Sequence, residues 1–259
     1  MTEHETKGHE SVVASMFSRI APGYDRANRL LSLGVDTLWR QRLVRRVEEG
    51  FSLRSGRKVL DLAAGTLDVS LALARRIPGV TVAATDFCLP MLQAGGRKLA
   101  RADAYERDRI VRVTGDALAL PLKTDSMNAV TVAFGLRNMR PRARALAEAH
   151  RVLCPGGRLY VLEFGSAKGR IWGGLYNWYL QTLLPFLGGA ITGDREAYRY
   201  LAQTVTDFPP AQELGREMEE AGFTAVTWEK LWGGIVFLHA AEKPYPESGK
   251  QGDCEQVRS

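Results

Sequence analysis

The stretch LDLAAGTLDVS, residues 60–70, joins an apolar run ending at Asp61 to a helix-like segment beginning near Asp68, through a turn with one glycine, Gly65. Strand–turn–helix loops that hold phosphates need more than this. No Lys–Ser/Thr pair follows the glycine, so the phosphate cradle of a P-loop is absent. The G-x-G-x-x-G spacing that admits a pyrophosphate is absent too, which disfavours a dinucleotide. The turn still has the shape of a loop whose backbone N–H groups approach a ligand closely.

Outward from this turn, apolar runs alternate with helical patterns. The strand-like runs are KVLDLA (58–63), VTVAATD (80–86), RIVRVTGD (109–116), MNAVTVAFG (127–135) and GRLYVLEFG (157–165). Helical spacing fills the gaps at 69–77, 90–101 and 141–153, and a further helix is predicted over 210–221. Regular β and α alternation of this size predicts an α/β fold with a parallel, doubly wound sheet. TAVTWEKL (224–231) and GGIVFLHAAEK (233–243) read as a terminal hairpin. Upstream, apolar spacing at 11–20 and 36–49 predicts a helical prelude over 11–50. The single domain is expected to span 11–243, with residues 1–10 flexible and the polar tail 244–259 disordered.

Doubly wound sheets bind ligands at the carboxyl ends of their strands. Four such ends converge here. Asp61, Gly65 and Thr66 belong to the first. Asp86 ends the second, where a carboxylate can accept from both hydroxyls of a ribose. Asp116 and Ala117 end the third, offering a carboxylate to an exocyclic amino group and a backbone N–H. FGLRN (134–138) ends the fourth. An acidic residue after one strand is commonplace, and Asp61 alone could cap a neighbouring N–H. Together the four ends favour an adenosine-bearing ligand without phosphates, which points to S-adenosylmethionine.

On these residues the chain resembles the ubiquinone/menaquinone-biosynthesis C-methyltransferases, within the class I S-adenosylmethionine-dependent methyltransferases. The matching pieces are MFSRIAPGYDRANRLLSLGVDTLWR (16–40), VLDLAAGTLD (59–68), GDALALPL (115–122), FGLRNM (134–139) and HRVLCPGGRLYVLEF (150–164). DREAYRYLAQTV (194–205), EEAGF (219–223) and GIVFLHAAEK (234–243) follow in order. The resemblance implies a seven-stranded Rossmann-like sheet with its last strand antiparallel, and donor-binding positions at Thr66, Asp86, Asp116 and Ala117. It implies methyl transfer to a ring carbon of a prenylated hydroquinone, either demethylmenaquinol or a polyprenyl-methoxybenzoquinol, with demethylmenaquinol the first choice. A non-catalytic subunit of the same fold is the rival. Its one supporting feature is Leu67, where the family usually has glycine. The reading adopted here puts Leu67 at the helix start, where leucine is sterically allowed, rather than at a positive φ.

An aromatic carbon attacks a methyl group only after a ring hydroxyl loses its proton. Arg137 is expected to stabilise that oxyanion and Asn138 to orient it, although pairing of Arg137 with a structural carboxylate competes. Tyr24, with Asp25 and Asn28, is expected to close over the pocket and touch donor or substrate. His150 and His239 read as core or capping residues. None of the four histidines has metal-ligand spacing, and no metal is expected.

The chain has 259 residues, a net charge of +6, and 27 arginines among its 35 basic residues. Residues 19–58 hold ten basic and four acidic side chains. No nucleic-acid motif accompanies them, so nucleic acid is not expected, whereas an anionic membrane face suits the charge. IWGGLYNWYLQTLLPFLGGAI (171–191) carries no charge. Its glycines and Pro185 argue against a membrane span and for a hydrophobic lid, placed at 171–205, or a core helix. Cys88, Cys154 and Cys254 lack paired spacing and read as free thiols in a reducing compartment. No apolar signal segment opens the chain, so a cytoplasmic protein visiting the inner membrane face is expected. Association into a homo-oligomer stays open.

Overall fold

Val, Ile and Leu at alternating or continuous positions drive the apolar runs within residues 58–164 into strands, and the computed structural model arranges them as the periodicity predicts. It describes residues 3–51, 57–165, 182 and 184–246. The strands are β1 (Lys58–Leu62), β2 (Thr81–Asp86), β3 (Ile110–Thr114), β4 (Met127–Ala133), β5 (Leu153–Phe164), β6 (Thr224–Leu231) and β7 (Val236–Glu242). Among the described residues they form one sheet in the order β3-β2-β1-β4-β5-β7-β6. The first five strands pair in parallel, and β7 enters antiparallel between β5 and β6. The terminal hairpin and the antiparallel last strand are therefore as expected. The order reverses between β1 and β4, and the carboxyl ends of those two strands open the crevice where ligands sit in such sheets.

Helices α1 (Glu3–Ile20), α2 (Tyr24–Leu31) and α3 (Val35–Phe51) form the prelude. Residues 3–10 are helical as part of α1, so the helix begins before the pattern read from residue 11. Next come α4 (Asp68–Arg76), α5 (Leu89–Leu99), α6 (Ala104–Arg107), α7 (Arg142–Val152), α8 (Leu184–Thr192), α9 (Arg195–Thr206) and α10 (Ala211–Glu220). The helices cover both faces of the sheet. One core packs Trp39, Leu43, Val47, Leu73, Val82 and Leu162 between α3, α4 and the strands. The other packs Leu60, Val130, Leu146, Leu159, Leu214 and Met218 beneath α7 and α10. A third, smaller cluster joins Met16, Ile20 and Ala27 of the prelude to Ala197, Tyr198 and Val205 of α9.

That third cluster matters for function, because it ties the prelude to the segment read as a lid. Of that segment, α8 and α9 are described, while residues 166–181 lie outside the described residues, as do residues 247–259 of the expected tail. Among the described residues, no helix is long and apolar enough to cross a membrane. Cys88 is a free, buried thiol, whereas Cys154 is disulfide-bonded, which corrects the reading of all three cysteines as free.

Candidate active site

The β1–α4 loop is where sequence and structure disagree. Leu67 adopts φ +68°, ψ +21°, the left-handed region, at the position just before α4. The expectation of an ordinary helix start is thus corrected. The backbone does require the conformation that glycine adopts freely, and leucine there carries about 1–2 kcal/mol of strain. What offsets it is burial. The Leu67 side chain is fully buried and joins the α3–α4 core. Room for it comes from Gly95 of α5, where a Cβ would stand 2.5 Å from Leu67 Cγ and 2.9 Å from the Thr66 carbonyl carbon. The turn is held with a buried leucine in it, at the cost of that strain.

Beneath the loop, Asp61 is buried and accepts hydrogen bonds from Ser70 Oγ at 2.6 Å and Thr131 Oγ1 at 3.0 Å. Burial pushes its carboxyl up to about 6, against the pull of those two hydroxyls. Asp61 therefore props the loop from below. Asp86 is buried at the end of β2, where Gly65 N–H donates to Oδ2 and Cys88 N–H to Oδ1, each at 2.8 Å. Burial also raises the Asp86 pKa, against those backbone donors. Each Asp86 oxygen keeps a lone pair, so the carboxylate can still accept from two further hydroxyls.

Two cavities open here. The smaller, about 110 Å³, is lined by Gly65, Asp86, Met91, Asp116, Ala117 and Asn138, among others. Asp116 is exposed and folds its carboxylate onto Leu118 N–H at 2.8 Å, which fixes the turn after β3. This donor set suits an adenosine: Asp86 for the ribose, the β3 turn for the base, and a loop with no phosphate cradle. Asp61 and Thr66 do not line the cavity. Thr66 turns its hydroxyl to Asp25 of α2, at 2.5 Å.

The larger cavity, about 490 Å³, is almost wholly apolar. Its floor is an aromatic trio, with Phe134 and Phe164 ring centroids 4.8 Å apart and Trp39 at 6.0 and 6.3 Å from them. Tyr24, Asn28 and Ile20 of the prelude and Tyr198, Tyr200 and Leu201 of α9 form its other walls. The two cavities share Phe17, Tyr24, Phe134 and Asn138. Asn138 Oδ1 is buried with no hydrogen-bond partner among the described residues.

Arg137 lines the larger cavity, yet its guanidinium also serves the fold. Nη1 pairs with Glu163 Oε1 at 2.8 Å and bonds the Phe134 carbonyl, and both partners of the ion pair are buried. Glu163 also accepts from Phe164 N–H at 3.0 Å. The competing reading, a structural carboxylate for Arg137, describes one face of this side chain. Its Nε is buried without a partner among the described residues. Glu163 was not singled out in the sequence, although LEF at a strand end is the same signal that marked Asp86. His239 Nε2–H donates to the Ala211 carbonyl at 2.9 Å within the core, and the half-buried His150 packs edge-on to Phe223. No cluster with metal-binding potential exists among the described residues.

The family model described as the ubiE/COQ5 methyltransferase family matches residues 4–243. The chain belongs to that family. A demethylmenaquinone methyltransferase of Thermus thermophilus is 45% identical over 88% of this chain and 100% of its own length. One from Mycobacterium marinum is 42% identical, covering 90% and 94% of the two chains. The ubiquinone/menaquinone biosynthesis C-methyltransferase of Paracoccus denitrificans is 39% identical over 92% of each. Among solved structures, a SAM-dependent methyltransferase of Thermotoga maritima superposes with a TM-score of 0.61 at 19% identity, covering 88% of this chain and 99% of that one. One from Aquifex aeolicus gives 0.55 at 18%, over 77% and 89%. These last two share the fold. The chain is an S-adenosylmethionine-dependent methyltransferase.

Proposed function

We propose that this methyltransferase transfers a methyl group to a ring carbon of a prenylated hydroquinone, with demethylmenaquinol the preferred acceptor. The observation that carries the reading is the junction of the two cavities. A large apolar chamber with an aromatic floor meets the donor pocket at Tyr24, Phe134 and Asn138. Flat fused rings stack well on such a floor, and a polyprenyl tail is at home among its apolar walls. The names of the relatives, demethylmenaquinone methyltransferases and a ubiquinone/menaquinone C-methyltransferase, agree with this chemistry.

The donor, when bound, supplies a methyl group on a sulfonium. The chain's part is to align and polarise the acceptor. Stacking against Phe134 and Phe164 fixes the ring plane, which places one ring carbon at near-contact distance and supplies much of the rate. Asn138 Oδ1 accepts from a ring hydroxyl and so orients it. Arg137, held by Glu163, offers N–H to the same oxygen once that hydroxyl has given its proton to solvent, the apolar surroundings strengthen that interaction, and the methylated ring carbon then loses its own proton to solvent. Tyr24 shuts the junction from above.

The mouth of the larger cavity supports a peripheral visit to a membrane. Leu33 (87% exposed) and Trp232 (56% exposed) both line the cavity and both adopt positive φ, at +51° and +46°. Exposed, strained apolar residues at a chamber mouth bury little surface in the fold, and an anionic lipid surface accounts for them together with the basic charge of residues 19–58. Co-sedimentation with anionic vesicles that Leu33→Glu and Trp232→Glu leave unchanged would count against this contact.

The acceptor reading is tested by incubating the enzyme with labelled donor and, separately, reduced demethylmenaquinone or a polyprenyl-methoxybenzoquinol, with mass detection of the product. Methylation of the naphthoquinol at the higher kcat/KM is expected. Failure to methylate either quinol, by an enzyme that binds S-adenosylhomocysteine, would overturn it.

A further inference from the structure

Just outside the donor cavity, three elements bring a hydroxyl, an ammonium and a carboxylate together. Thr66 of the β1–α4 loop donates Oγ1–H to Asp25 Oδ1 at 2.5 Å. Lys98 of α5 donates to Asp25 Oδ2 at 2.8 Å, to Thr66 Oγ1 at 3.2 Å and to Asp68 Oδ1 at 2.5 Å. One carboxylate, from the second residue of α2, thus sits on donors supplied by the loop and by α5. The residues flanking this contact, Gly65 and Tyr24, both line the donor cavity, so the contact lies at its edge.

The donor of this reaction carries a carboxylate on its amino-acid end, and that end needs cationic or N–H partners. The lining of the donor cavity is poor in them. Among its described residues the charged ones are Asp86, Asp116 and Arg140, so its lining holds one cation, which follows β4. Thr66 and Lys98, next to Gly65 on the loop side, are a matched pair for a carboxylate, and they already hold one. Asp68 keeps Lys98 in place whichever carboxylate is seated.

We propose that Thr66 and Lys98 form the subsite for the α-carboxylate of the methyl donor, and that Asp25 occupies this subsite until the donor displaces it. The proposal rests on the methyltransferase reading and deepens it. Displacement frees α2 at its first turn, next to Tyr24, which roofs both cavities. Donor entry and closure over the acceptor are then coupled through one exchange of carboxylates. At about 110 Å³ the donor cavity is smaller than the several hundred Å³ of typical ligand sites, which agrees with a roof that shifts on binding.

Titration calorimetry with two probes tests this. S-Adenosylhomocysteine has the amino-acid end, and 5′-methylthioadenosine lacks it. Lys98→Met is expected to weaken S-adenosylhomocysteine binding roughly tenfold, while methylthioadenosine binds as to the native protein, which also reports correct folding. Lys98→Arg is expected to stay within about threefold for both probes. Asp25→Asn, which removes the competing charge, is expected to strengthen S-adenosylhomocysteine binding several-fold and leave methylthioadenosine unchanged. An equal loss of both probes in Lys98→Met, or no loss, would overturn the subsite. So would a selective loss of S-adenosylhomocysteine in Arg140→Met with none in Lys98→Met. Weaker S-adenosylhomocysteine binding in Asp25→Asn would overturn the displacement. Absence of binding by the native protein would instead strike at the methyltransferase reading itself.

Discussion

The loops that follow β1 and β4 lie side by side, so close that a Cβ on Gly135 would come 2.6 Å from Ala63 Cβ. They are held by different forces. The β1 loop is propped by hydroxyls and backbone N–H groups on two carboxylates, Asp61 and Asp86. The β4 loop is pinned by a buried ion pair, Arg137 with Glu163. Each arrangement fits its side of the reaction. A cradle of carboxylates with spare acceptor capacity suits a ligand rich in hydroxyls and N–H groups. A compensated guanidinium in an apolar wall can meet an oxyanion without leaving an unpaired charge beside a hydrocarbon substrate.

Breaking the ion pair should have the largest effect. Arg137→Ala leaves the Glu163 carboxylate buried and alone, so we expect a loss of about 3–5 kcal/mol in chemical denaturation. Where the variant is still folded, methyl transfer should be abolished while S-adenosylhomocysteine binding persists. Stability within about 1 kcal/mol of the native protein would show that the pair does not pin the loop.

The carboxylate under the β1 loop gives the next effect, and its sign is opposite to that of a salt-bridged acid. The Asp61 pKa is raised in the folded state, from 3.8 to about 6. Its contribution is therefore fully present below about 3.8 and is lost as pH rises through about 6. Across that window the stability of the native protein relative to Asp61→Asn should fall by about 3 kcal/mol and then level off, as paired denaturation curves would show. A difference that rose with pH would mean that Asp61 is stabilised as the anion.

Leu67 offers a smaller and more discriminating change. Leu67→Gly relieves about 1–2 kcal/mol of backbone strain but empties a fully buried site worth about 3 kcal/mol or more, so a net loss of about 2 kcal/mol is expected. Gly95→Ala should destabilise the native protein through the clash with Leu67, and by less in the Leu67→Gly background. Equal effects in the two backgrounds would refute the compensation between the two positions.

Most of the fold could be read from the chain because its strands announce themselves. VLDLA, VTVAATD and NAVTVAFG alternate or run apolar in a way that only buried parallel strands require. Gly65, Asp86, Asp116, Ala117 and Asn138 were legible for a related reason: strand ends in such sheets face one crevice, so local sequence fixes their place. Leu67 was misread because a positive φ is set by the loop as a whole, and the glycine that makes room for its side chain stands on another helix. Glu163 and Lys98 escaped notice because their partners are distant in the chain: Arg137 reaches Glu163 across neighbouring strands, and Asp25 reaches Lys98 from the prelude. The helical state of residues 3–10 likewise has no apolar period to reveal it.

The central claim is that methyl transfer occurs where the two cavities meet, with Asn138 orienting the acceptor. Asn138→Leu tests it most directly, because Asn138 Oδ1 makes no hydrogen bond among the described residues, so the fold does not depend on that oxygen. The measurement is kcat for a reduced demethylmenaquinone at saturating donor, set beside the dissociation constant of S-adenosylhomocysteine. The account predicts a fall of about a hundredfold in kcat with donor affinity kept within about threefold. Full turnover in Asn138→Leu would contradict it.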